Sequence, residues 1–118
     1  MIDQNYMKAL IVILFCFHHT FAQQNEQYQI LVSKASLSHL QKDVEGAIAQ
    51  YEQAFAIQAP DALSAYKAAG AYSLNHDARK ALKFLEIALA GGWTEADWLA
   101  SDPYFDYLKR TDTVEWNV

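Results

Sequence analysis

The sequence predicts an all-α chain of two stacked antiparallel helical hairpins with a short helical C-terminal cap. The first observation is a repeat. Apolar residues at Val44, Ala47, Ile48, Tyr51, Ala54 and Phe55 recur 34 positions later as Ala78, Ala81, Leu82, Leu85, Ala88 and Leu89. Four positions are identical across that shift: Ala35/Ala69, Asp43/Asp77, Ala47/Ala81 and Ala54/Ala88. A fixed period of this length marks a helical hairpin that buries its apolar face by stacking on its neighbours. The second observation is the apolar spacing of Tyr28, Leu31, Val32 and Ala35, at i, i+3, i+4 and i+7, which draws one stripe along a helix. The third is punctuation. Pro60 disfavours helix at Ala59, and Gly91-Gly92 supplies a helix stop, so the chain divides where the repeat says it should.

Taken in order, the first helix is predicted over residues 24–41, and its counterpart 34 residues on carries Ala62, Ala65, Tyr66 and Ala69. Asp43, Asp61 and Asp77 each precede a predicted helix, where a carboxylate accepts from unpaired backbone N–H groups and favours the positive helix end. The alanines at 47, 54, 81 and 88 add no bulk, so helix axes can approach to near the lower end of the ~8–10 Å packing range. Beyond Gly92 the period places Ala96, Leu99 and Ala100 at the start of a third unit, which Pro103 stops. Thr94 with Asp97 reads as a variant capping box, and Asp102-Pro103 as the start of a further short helix to about residue 110. Thr111 or Asp112 can open one more turn containing Val114 and Trp116. Residues 93–118 are thus expected to cap the second hairpin over the apolar side of residues 78–89.

The period and the small and aromatic residues at these offsets resemble the tetratricopeptide repeat over residues 27–93. The sequence departs from it at Ala35 and Ala69, where that family usually carries glycine, and at Ser38, where it carries the aromatic kept here as Tyr72. The resemblance implies a solenoid that binds other proteins along the concave face of its first helices. Only two units and a fragment are present, so either the tail or another protein is expected to close the stack, and the chain reads as a shortened member of its family.

Residues 1–22 read as a secretory signal: Lys8, the unbroken apolar run of residues 9–17, then Thr20-Phe21-Ala22 before the expected first mature residue, Gln23. The run is well short of the ~20 apolar residues of a membrane span, so no stable span is expected after cleavage. Met7-Lys8 is a more typical opening than Met1, because Asp3 sits in a region that is ordinarily positive. The expected location is periplasmic or secreted. Cys16, the single cysteine, would leave with the signal, so the mature chain would form no internal disulfide.

Charge narrows the partners. The chain carries a net charge of −5, and residues 86–118 hold seven acidic side chains against Lys109 and Arg110, which leaves no basic footprint for nucleic acid. His39 and His76 have no second ligand at metal-binding spacing. The carboxylate pairs Glu95/Asp97 and Asp102/Asp106 read as helix caps and solvated residues, not as an acid/base couple. No Gly-x-Ser-x-Gly elbow or glycine-rich phosphate loop is present, so neither a catalytic residue nor a cofactor is expected. Tyr51, Tyr66, Tyr72, Phe84, Trp93 and Trp98 read as core and seam residues.

The expected function is therefore protein-protein interaction without catalysis, as scaffold or adaptor. The alternative is an accessory peptide- or glycan-binding subunit of an exported enzyme or transport assembly, and homo-oligomerisation is left open. At 100° per residue, Gln29, Ser33, Ser36 and Leu40 lie about 120° from the first helix's core stripe. The same shift of 34 gives Leu63, Lys67, Gly70 and Leu74. These eight residues are the candidate binding surface. It is small, nearly uncharged and without a lysine/asparagine set for a carboxylate, so the expected ligand is an apolar extended or helical segment.

Overall fold

Apolar stripes at helical spacing, aspartate caps and small residues at the crossings do generate an all-helical chain. The computed structural model describes residues 2–94 and 96–111. Its elements are α1 (Gln4–Leu40), α2 (Val44–Ile57), α3 (Ala62–Leu74), α4 (Ala78–Ala90), α5 (Ala96–Ser101), a 3-10 turn (Pro103–Phe105) and α6 (Asp106–Lys109). The short connections at residues 41–43 and 75–77 force α1/α2 and α3/α4 into antiparallel pairs, which stack through α2 and α3. No strand occurs among the described residues. Glu95, the expected last turn beyond Thr111 and the Trp98 side chain fall outside the description.

The three aspartates act as the sequence suggests. Backbone N–H groups of Gly46, Ser64 and Lys80 donate to Oδ1 of Asp43, Asp61 and Asp77 at 3.0, 2.7 and 3.1 Å. The helix stops repeat just as closely. At the end of α1, Asp43 N donates to Ser38 O (2.9 Å) and Lys42 N to His39 O (3.0 Å); at the end of α3, Asp77 N donates to Tyr72 O (2.9 Å) and His76 N to Ser73 O (3.0 Å). Both stops are Schellman motifs, and each needs a left-handed residue after the cap. Lys42 (φ 63°) and His76 (φ 58°) occupy those positions, 34 residues apart. Gly92 (φ 98°) repeats the motif at the end of α4 without the side-chain cost.

Ala47, Ala54, Ala81 and Ala88 are fully buried, as the close helix approach requires. An aromatic ladder joins the hairpins: Tyr51 stacks on Phe55, Phe55 meets Phe84 at 5.3 Å, and Phe84 stacks on Tyr72 with ring planes 2° apart. Tyr28 and Asp61 bind each other twice across the boundary, the Tyr28 hydroxyl donating to Asp61 Oδ2 and accepting from Asp61 N, both at 3.2 Å. Ser38 takes the buried place that Tyr72 holds in the second hairpin and donates to Gln50 Oε1 at 3.1 Å.

Three expectations are revised. The first helix begins at Gln4, not near residue 24, because no glycine or proline interrupts residues 4–40 and nothing else breaks the helix before Leu40. Tyr28 is its first buried residue, so the preceding turns project from the body and give it a long axis of 68 Å. Leu89, placed in the core by the period, is 58% exposed, because the tail does not cover that side of α4. The tail instead lies chiefly against α3, where Phe105 and Leu108 join the cluster of Ala65, Tyr66, Ala69 and Tyr72 with Ala81, Leu85 and Ala88 of α4. The Lys109 ammonium staples it, donating to Ala100 O (2.8 Å), Asp102 O (3.1 Å) and Asp106 Oδ1 (3.3 Å).

Candidate functional site

The last turns of α1 and the first half of α3 present one face, and the tail closes one side of it. Between them lies a cleft of ≈ 250 Å³, room for one or two side chains and smaller than the ~300–1,000 Å³ of drug-sized pockets. Five of the eight residues read as a binding surface line it: Ser36, Leu40, Leu63, Lys67 and Gly70. Gln29 and Ser33 lie further back along α1, exposed and outside the cleft, and Leu74 lies outside it at the end of α3. The helical angle groups the eight residues on one side, and the closing tail decides which turns become walls of the cleft.

Leu40 (75% exposed) and Leu63 (49% exposed) are the apolar lips. Gly70 forms part of the floor. A Cβ there would stand 3.6 Å from both His39 Cε1 and Tyr104 Cβ, an ordinary contact, so glycine keeps open a space that alanine would fill. Tyr66 forms a wall, stacked on Trp93 at 4.4 Å and packed against Phe105 at 5.3 Å, with its hydroxyl donating to Asp102 Oδ2 at 2.7 Å.

His39 stands in the last turn of α1, and Tyr51 reads from the sequence as a core residue. Both reach the cleft. His39 packs against Tyr104 with ring centroids 4.4 Å apart and planes tilted by 52°, and its Nε2 is buried with no hydrogen-bond partner among the described residues. Tyr51 is fully buried, and its hydroxyl likewise makes no hydrogen bond of acceptable geometry there. Burial pushes that hydroxyl's pKa up, only partly offset by the nearby Ser36 side chain. The Lys67 ammonium reaches Ser36 Oγ at 3.5 Å, the outer limit of a hydrogen bond. An apolar cleft thus has unspent polar capacity at its base, which is how ligand sites fix orientation. No sequence signal marked His39 or Tyr51 for the cleft, because residues 102–110, which complete it, follow no repeat period.

His39 makes the site sensitive to acid. Burial holds its imidazole below the ordinary 6.5, against an upward pull from Asp102, with a smaller downward push from Lys67. The unfolded chain therefore takes up a proton that the folded chain resists. The resulting stability is complete above pH 6.5 and is lost as pH falls from 6.5 through the lower folded value. The urea midpoint of the parent is expected to fall between about pH 7.5 and about pH 5.5, and to fall less in His39→Gln. Equal slopes would exonerate His39.

A second depression, lined by Glu52, Phe55, Tyr72 and Lys80 among others, offers less. Its polar groups satisfy one another: the Tyr72 hydroxyl donates to Glu52 Oε1 at 2.9 Å, Lys80 pairs with the same oxygen at 3.4 Å, and Lys80 sits over the Tyr72 ring. That arrangement braces the hairpins. Among the described residues, no three His, Cys, Asp or Glu side chains gather as a metal site would require. No family model, curated protein or solved structure matches the chain.

Proposed function

We propose that the chain is an exported, tetratricopeptide-like binding module that takes an apolar segment of another protein into the cleft of α1 and α3 and performs no catalysis. The observation that carries this reading is the pairing of exposed Leu40 and Leu63 with the unpartnered hydroxyl of buried Tyr51 in one cleft. Apolar lips gain from being covered, and a buried donor gains from an acceptor, so a peptide that brings both a side chain and a carbonyl suits the site.

The repeat resemblance is supported by the backbone as well as the side chains, since caps and left-handed stops recur at the same 34-residue interval. Export is supported by burial: the core begins at Tyr28, so cleavage before Gln23 removes no buried residue. The absence of catalysis is argued from geometry. In the cleft, Ser36 and Lys67 are the hydroxyl and amine that meet, but their 3.5 Å separation exceeds the ~2.6–3.2 Å that nucleophile and base pairs use. Ser36 also lies inside α1, where neighbouring N–H groups are consumed by the helix and cannot stabilise an oxyanion.

The test compares two leucines that the helical wheel places on one face of α3. In co-purification from the native host, Leu63→Glu is expected to lose the bound protein about tenfold or more, because a carboxylate at the lip is desolvated by the ligand. Leu74→Glu, outside the cleft, is expected to retain it. Equal retention by both folded variants would remove the cleft, and a glycan recovered in place of a protein would favour an accessory carbohydrate-binding role.

A further inference from the structure

The walls of the cleft and the two unbonded atoms within it describe the chemical group that fits there. Half of the lining residues are aromatic: His39, Tyr51, Tyr66, Trp93, Tyr104 and Phe105. Such walls favour a flat ring over an aliphatic chain, because aromatic rings attract one another beyond the area they bury. The size agrees. An apolar cavity of about 150 Å³ holds benzene, and the ≈ 250 Å³ of the cleft leaves space for a ring with a polar substituent and a link to its carrier.

The unbonded atoms narrow the substituent. The Tyr51 hydroxyl and His39 Nε2 are both buried and make no hydrogen bond among the described residues. Burial raises the pKa of the phenol and lowers that of the imidazole, so neither brings a charge to the cleft at neutral pH. An oxygen that accepts from Tyr51 meets the first need. If the same oxygen carries a proton, it also meets His39 in either tautomer, donating to Nε2 or accepting from it, whereas a carbonyl serves one tautomer alone. The charged lining residues, Lys67 and Asp102, are opposite in sign. Asp102 is already engaged, Oδ2 by the Tyr66 hydroxyl at 2.7 Å and Oδ1 by Tyr104 N at 2.9 Å. A neutral hydroxyl therefore suits the cleft better than a carboxylate or an ammonium, either of which would lose hydration for little return.

We propose that the cleft is a pocket for one hydroxyphenyl group, supplied as a tyrosine side chain of the bound segment, its ring between the aromatic walls and its hydroxyl bonded to the Tyr51 hydroxyl and His39 Nε2. The inference rests on the binding reading above and names the side chain that the cleft selects. Leu40 and Leu63, exposed at the lips, then cover the residues that flank the tyrosine. Residues 102–110 stay in place, since Tyr104 and Phe105 belong to the wall.

The test follows the amide resonances of Gly70 and Tyr104 in the purified full chain as small probes are added. p-Cresol, the tyrosine side chain itself, is expected to bind about tenfold more tightly than toluene, the difference made by a buried hydrogen bond. Tyr51→Phe and His39→Phe are each expected to cut that preference to about threefold or less, and either alone decides if the other fails to fold. N-Acetyltyrosinamide, which adds a backbone, is expected to bind at least as tightly as p-cresol. Its exclusion while p-cresol binds would make the ligand a free phenol and overturn the tyrosine. Tighter binding of p-toluate or tetramethylammonium than of p-cresol would make the ligand an ion and overturn the proposal. Equal binding of p-cresol and toluene, a preference that survives both variants, or no shift with any probe would overturn it as well. Loss of the co-purifying protein in Leu63→Glu without a p-cresol preference would overturn this ligand chemistry and keep the binding reading. A preference in the parent, with the protein retained by Leu63→Glu, would uphold the pocket and remove that reading.

Discussion

Tyr51→Ala is expected to destabilise the protein by about 3–5 kcal/mol, the range for emptying a large buried aromatic site. Tyr51 is fully buried on α2 and packs with Ala35 and Ala47 of its own hairpin and Ala68 and Ala71 of the next, so its ring is the filling between two alanine-lined surfaces. Alanines have no side chain long enough to swing into the space, and the cavity would persist. For a body of this size, with total stability toward the lower end of ~5–15 kcal/mol, such a loss leaves little folded protein. Tyr51→Phe separates packing from polarity. It keeps the ring and its stacking on Phe55, and removes a buried hydroxyl that has no hydrogen bond among the described residues. Relief of an unsatisfied polar group, about 1–3 kcal/mol, predicts a phenylalanine variant at least as stable as the parent. Urea unfolding of both variants checks the pair. If Tyr51→Phe costs more than about 1 kcal/mol, the hydroxyl is bonded in the free protein, and the argument that it waits for a ligand fails.

A Tyr51→Phe variant more stable than the parent would fit the pattern of a site retained for binding. Most of the framework around it was legible. The shift of 34 located the alanines at the crossings, and aspartate before an apolar run located three helix starts, because both are local rules. The stops after α1 and α3 were not marked, since Lys42 and His76 hold the left-handed position where glycine would have announced it. The long reach of α1 was missed for a different reason: a helix continues wherever nothing ends it, even where no core rewards it. The site was half legible. A helical wheel finds Ser36, Leu40, Leu63, Lys67 and Gly70, whereas His39 and Tyr104 meet only because residues 102–110 cross to α1, and no periodicity encodes that path.

Replacing Val12 and Leu14 with aspartate is expected to abolish export while leaving the melting temperature of the folded body unchanged. The apolar run of residues 9–17 lies wholly on the part of α1 that projects from the body, and every side chain in it is exposed. Leu10, Val12 and Leu14 contribute nothing to the core, so the fold gives no reason for nine consecutive apolar residues in contact with water. An apolar environment met during translocation would supply one. No described helix is long and apolar enough to cross a membrane. Each aspartate at the centre of such a segment raises the transfer cost by about 2.5–3.5 kcal/mol, so the two together cut productive entry by a factor of a thousand or more. In the native host the double variant should accumulate inside the cell as the full-length precursor. The parent should appear outside the cytoplasm with an intact mass beginning at Gln23, and the purified chain of residues 23–118 should melt with the precursor, because burial starts only at Tyr28. Parent protein recovered outside the cytoplasm with residues 9–17 still attached would replace the cleaved signal with a retained apolar arm. Unimpaired export of the double variant would exclude this segment as the address.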